Sequence, residues 1–187
     1  MEQIAIIFFA LNSFLGMEDN TISADKTTVT VYPRRQIIEI TQQDLFAIVH
    51  SDTDATYVKR QWASVSAHSQ QGTGWAKALA PFPSKTITLV TVNNQVQPQL
   101  TLSYNDEKDL RAMGIWYNAD KNHFSINHVP QDNLQTTEGE LIGKYWVFNA
   151  DQPFSFTLEP FKALPQVYQN LKQPLTQILA EDDDLVQ

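Results

Sequence analysis

A chain of 187 residues that is 42% apolar and 11% aromatic can bury one core, and with 18% charged residues and no low-complexity run it does not have the composition of a disordered protein. Its net charge of −8 and scattered basic residues, adjacent only at Arg34-Arg35 and Lys59-Arg60, exclude the basic stripe that a nucleic-acid binder needs to release counterions. The absence of cysteine excludes disulfides, thiol catalysis and thiolate metal sites.

Ile4 to Leu11 is apolar all round, and Gly16 is a good residue to end a helix over 3–15. Residues 1–16 are expected to be a buried element of a cytoplasmic protein, or an atypical export signal that lacks the usual positive start. The run is too short to span a bilayer, and no transmembrane span is expected. Thr27 to Tyr32 and Gln36 to Thr41 alternate apolar with polar and predict a hairpin turning at Pro33. Thr41 then resembles a helix cap with Asp44 in the first turn, predicting a short helix through Leu45–Val49, with a strand as the alternative. Tyr57, Val58, Trp62 and Val65 recur at helical spacing and predict a helix from about Asp54 to His68. Gly72, Gly74, Pro81 and Pro83 mark the connection that follows.

Thr86 to Val92 and Gln95 to Tyr104 flank Asn93-Asn94, a pair that tolerates the positive φ of a tight hairpin turn. Pro98 has no N–H, so its strand is expected to be an edge or bulged there. Asn105 to Ala112 is expected to form a helical turn. Met113 to Tyr117 with His123 to Val129 predicts a second hairpin, and Glu140 to Phe148 with Phe154 to Leu158 a third. Leucines and Ile178 at helical spacing predict a helix over 164–180, with Pro165 in its first turn and a kink at Pro174, before an acidic tail over 181–187. The expected whole is one α+β domain, mainly antiparallel. Residues 85–158 would form a six-strand meander or partly closed barrel, joined by the hairpin and helices of 27–84 and covered by two to four helices.

Trp116, Tyr117, Tyr145 and Trp146 crowd the later hairpins and alternate between faces. One face must be core; the other is expected to lie under helices or to form a binding surface. With Asp182, Asp183 and Asp184 of the tail, these residues are the candidate contacts of a non-catalytic protein-binding domain (an inhibitor, immunity-type protein or assembly accessory) for a partner with a basic surface. That function requires no metal and no cofactor. A barrel holding an apolar small molecule near Trp116 and Tyr145 is the alternative.

Asp52-Thr53-Asp54-Ala55-Thr56 resembles the Asp-x-Asp-x-Thr signature of haloacid-dehalogenase-type phosphohydrolases. The resemblance implies a Rossmann-like sheet, Asp52 as nucleophile, Asp54 as general acid/base, and Mg²⁺. The same residues also fit a loop that caps a helix. His50, Asp52 and Asp54 alternate and would share a face if extended, whereas His123 and His128 stand at odd spacing and make a poor metal pair.

Overall fold

The computed structural model describes residues 14–17, 21–71, 74–127, 129 and 131–180. The apolar segment up to residue 13, His128 and the acidic tail with Asp182, Asp183 and Asp184 lie outside the described residues. The fold is α+β, with antiparallel strands in two open sheets.

Strands β1 (Ser23–Tyr32) and β2 (Ile37–Ile48) form the long central hairpin, turned by Pro33–Arg35 and by Gln36 in the left-handed region. Helix α1 (Asp52–Gln71) follows. Strands β3 (Ser84–Val92) and β4 (Gln95–Ser103) are joined through Asn93 and Asn94, both at positive φ, as the Asn pair requires. β5 (Ile115–Asn118), β6 (His123–Asn127), β7 (Leu134–Gln135), β8 (Gly139–Ile142), β9 (Tyr145–Asn149) and β10 (Phe154–Leu158) complete the middle of the chain. The chain then runs through α2 (Gln166–Gln169), β11 (Lys172–Pro174) and α3 (Leu175–Ala180).

The strands of residues 85–158 do not make one six-strand meander, and neither sheet closes into a barrel. The large sheet has the order β3-β4-β2-β1-β10-β7, with β11 also pairing β2; the small sheet has the order β5-β6-β9-β8. The third hairpin is likewise revised. A turn at Gly143, φ 64, joins β8 to β9, while β10 crosses to pair with β1. The physical reason is a shared core. Phe148 of the small sheet stacks on Phe154 of the large one at 4.5 Å, and Phe124 lies 5.4 Å from Phe154. Splitting the strands between two facing layers buries all three rings, which a flat hairpin could not do.

Two predicted helices are corrected. Residues 41–48 continue β2, because pairing with both β1 and β11 satisfies more backbone than a short isolated helix would. The segment over 164–180 breaks into α2, β11 and α3, since Lys172–Pro174 pairs with Phe46–Ile48. The long helix is placed as expected but starts at Asp52 and ends at Gln71. Its Ala55, Val58 and Val65 are buried, and it packs against β3 and α3. Toward its end His68 meets Trp75 edge-on at 5.1 Å, and burial holds the imidazole pKa below its ordinary value. Pro98 sits in an interior strand, yet its missing N–H is accommodated: the β2–β4 ladder stops at Gln99 and does not reach Pro98.

The small sheet and α1 both rest on the face of the large sheet that carries Val29, Val31, Ile38, Ile40, Leu100 and Leu102. The opposite face is polar. It bears Thr86, Thr101, Glu39, Thr30 and Ser155 in one rung, and Thr88, Gln99, Thr41, Thr28 and Thr157 in the next. Cross-strand hydroxyl bonds join Thr28 to Thr157 at 3.0 Å and Thr30 to Ser155 at 2.8 Å.

Candidate functional site

The four aromatic residues singled out from the sequence divide between the two faces of the small sheet, as strand alternation requires. Tyr117 and Trp146 point inward with Phe124, Ile126 and Phe148, and pack against the core. Trp116 and Tyr145 point outward and are 43% and 50% exposed. Ile142, directly opposite Tyr145, is 54% exposed, and Val147 lies in register with Ser125, itself opposite Trp116. Small and polar Ser125 and Asn127 of β6 separate these groups, so the outer face is a shallow apolar stripe with a polar floor. The Arg111 guanidinium stacks over the Trp116 ring at 5.0 Å. Arg111 is held there by the 3-10 turn Glu107–Met113, which Asp106 and Asp109 close with a capping box and Gly114 ends at φ 74. Among the described residues the two helices α1 and α3 pack on the large sheet and not on this face. Beside the stripe, a shallow polar hollow includes Lys121, His123, Glu138, Glu140 and Asp151.

A second concavity was not legible in the sequence. It is a cleft of about 310 Å³ between the far half of the β1–β2 hairpin, α1 and α3. Phe46, Trp62, Val96, Leu175 and Leu179 give it an apolar lining, and Asp25, Asp44 and Lys172 its charges. The cleft exists because the hairpin changes phase. Buried positions run Ala24 then Thr27 on β1, and Gln42 then Leu45 on β2, so both strands slip by one face at the same rung. Asp25 and Asp44 fall opposite one another at that rung, where the ladder is interrupted and Asp44 takes φ 53. Lys172 closes the cleft from β11. Its Nζ donates to both carboxylate oxygens of Asp25, at 2.6 and 2.5 Å, and lies 4.2 Å from the Phe46 ring centroid. Lys26 meets Asp44 at 3.9 Å, so the two carboxylates are balanced by two ammonium groups. The volume and the mix of apolar wall with a few polar groups are those of a small-ligand site.

Asp52 and Asp54 do not converge on a cleft. Both lie in the first turn of α1, after Ser51. The Asp54 carboxylate accepts the His50 backbone N–H at 2.9 Å, and the Asp52 carbonyl accepts the Thr56 hydroxyl at 2.9 Å. The strand before them is antiparallel, not the parallel strand of a Rossmann-like sheet. Among the described residues no three His, Cys, Asp or Glu side chains gather to hold a metal. The pair does what its place in the helix calls for: carboxylates facing the positive end of the dipole, one of them accepting the His50 N–H. Asp54→Ala is expected to lower stability by about 1 kcal/mol in urea unfolding, and Asp52→Asn by less. A phosphatase activity toward p-nitrophenyl phosphate that Asp52→Asn removed, without loss of stability, would contradict this assignment.

Among the described residues no helix is long and apolar enough to cross a membrane. No family model matches the chain, nor does any curated protein or solved structure.

Proposed function

We propose that this domain is a protein-binding module, of the inhibitor, immunity or assembly-accessory kind, which seats a partner on the outer face of the small sheet. The observation that carries the reading is the juxtaposition of Trp116, Tyr145 and Ile142, each 43 to 54% exposed, on a face that no described helix covers. Trp, Tyr and Arg are the residues that most often carry binding energy at interfaces, and Trp116 is already stacked with Arg111. The net charge of −8 favours a partner with a basic surface, with charge speeding encounter and the aromatic residues slowing release.

The test is capture from a lysate of the source organism with the tagged full chain at low and high salt, followed by calorimetry with the partner identified. Trp116→Ala and Tyr145→Ala are each expected to weaken binding by at least about tenfold without changing the unfolding midpoint, since both side chains are half exposed. Retention of full affinity by both variants would sink the reading. A second reading, a small amphipathic molecule in the cleft by Phe46 and Trp62, is supported by the cleft's volume of about 310 Å³. Native mass spectrometry of the purified chain decides it: a ligand would appear as added mass that is lost on denaturation.

A further inference from the structure

The edges of the two sheets are not alike. β7 offers two residues, and β5 and β8 four each, which leaves little backbone to pair. β3, at the other end of the large sheet, is nine residues long and pairs only with β4 among the described residues. Its sequence, Ser84-Lys85-Thr86-Ile87-Thr88-Leu89-Val90-Thr91-Val92, has one charge and no proline, and its register with β4 runs without a bulge. Those are the devices that ordinarily keep an edge from pairing, and only Lys85 remains of them.

From this we infer that β3 pairs antiparallel with β3 of a second copy of the chain, centred on Thr88, to give a two-fold dimer with one continuous sheet. The two-residue turn at Asn93-Asn94 makes Val92 and Gln95 a hydrogen-bonded pair, and alternation then points the backbone groups of Val90, Thr88, Thr86 and Ser84 at β4 as well. The N–H and C=O groups of Lys85, Ile87, Leu89 and Thr91 point away from β4, along an edge that no described strand covers. In a register centred on Thr88, Ile87 meets Leu89 of the second copy and Lys85 meets Thr91, so every one of these groups finds a partner and none is left over. The side chains agree with the backbone. Ile87 and Leu89 form apolar pairs on the helix-covered face, Thr86 faces Val90, and Thr88 faces its own copy. The single charge meets a threonine and not a second lysine. A shift to a neighbouring register would leave outward N–H and C=O groups unpaired at both ends.

The pairing is two-fold, so residue 88 sits opposite itself. Thr88 is exposed in the single chain, and a charge there leaves the monomer intact. Sedimentation equilibrium of the full chain is expected to show a dimer. Thr88→Lys and Thr88→Glu are each expected to weaken dimerisation at least about tenfold through like charges directly opposite, and an equimolar mixture of the two to restore a heterodimer. Added salt strengthens the wild-type dimer by screening −8 on each copy, whereas it weakens capture of a basic partner, which separates this inference from the proposed function. A wild-type chain that stays monomeric at its solubility limit would overturn the inference, including the case in which β3 takes a foreign strand. A dimer that neither variant disturbs, or that the mixture fails to restore, would overturn it too.

Discussion

Phe148→Ala is expected to cost about 3 to 5 kcal/mol, or roughly 10 °C in the unfolding midpoint of a chain of this length. Phe148 is fully buried where the two sheets meet, stacked on Phe154 at 4.5 Å and 5.8 Å from Phe156. Its ring neighbours Phe154 and Phe156 are themselves buried, so the void is expected to be only partly refilled. The same ring explains Gly139, its neighbour in register on β8. A Cβ at residue 139 would stand 2.5 Å from Phe148 Cε1, 2.9 Å from Cζ, and 2.9 Å from the Thr136 Cγ2 methyl. Gly139→Ala in the wild-type background is thus expected to cost about 1 to 3 kcal/mol from overpacking. With the ring gone, two of these three close contacts disappear and the added methyl fills part of the void. The double variant is expected to be less destabilised than the two single changes together, by about 1 kcal/mol or more. Urea unfolding of the four proteins measures the coupling. Strict additivity would mean that the glycine is required by its backbone or by Thr136, not by the ring.

What the sequence disclosed depended on the range of the interactions involved. Asn93-Asn94, the helix marked by Tyr57, Val58, Trp62 and Val65, and the polar turn before Gly114 are settled within a few residues, and all three elements stand where they were expected. Asp44 misled because Thr-Gln-Gln-Asp is good helix-start chemistry in isolation; its partners, Ser23 to Lys26 on one side and Lys172 to Pro174 on the other, are distant in the chain. The turn between β9 and β10 misled differently. Ala150 to Pro153 would serve a hairpin or a sheet change equally well, and only the stacking of Phe148 on Phe154 chooses between them. For the candidate site, alternation alone separated Trp116 from Tyr117 and Tyr145 from Trp146, but it could not say which member of each pair faced solvent. The cleft was hidden altogether, because the contact that closes it joins Asp25 and Lys172 across 147 positions.

Tyr104 supplies the sharpest pH test of the core. It directly follows the β4 strand, and its backbone N–H donates to the Gln36 carbonyl at 3.0 Å, which fastens the end of β4 to the β1–β2 turn. The side chain is 2% exposed, and its hydroxyl has no hydrogen-bond partner among the described residues. A buried hydroxyl without a partner costs stability, so Tyr104→Phe is expected to leave the protein equally stable or up to about 1 kcal/mol more stable near neutral pH. In alkali the two proteins diverge. Burial, and then the negative charge of Glu107, push the Tyr104 pKa up from 10.0 to about 12. The unfolded chain therefore releases this proton first, and ionisation there draws the equilibrium toward unfolding as pH rises from 10 toward 12. Stability that is complete below pH 10 is lost across that interval, by at most about 2 kcal/mol for this one group. Tyr104→Phe has no such proton to lose. Urea midpoints measured at about pH 8 and about pH 11 are expected to fall further for the wild type than for the variant, the remaining tyrosines contributing equally to both. Parallel losses would mean that the hydroxyl ionises freely in the folded protein, and hence that the junction of β4 with the β1–β2 turn opens to water before the sheets separate.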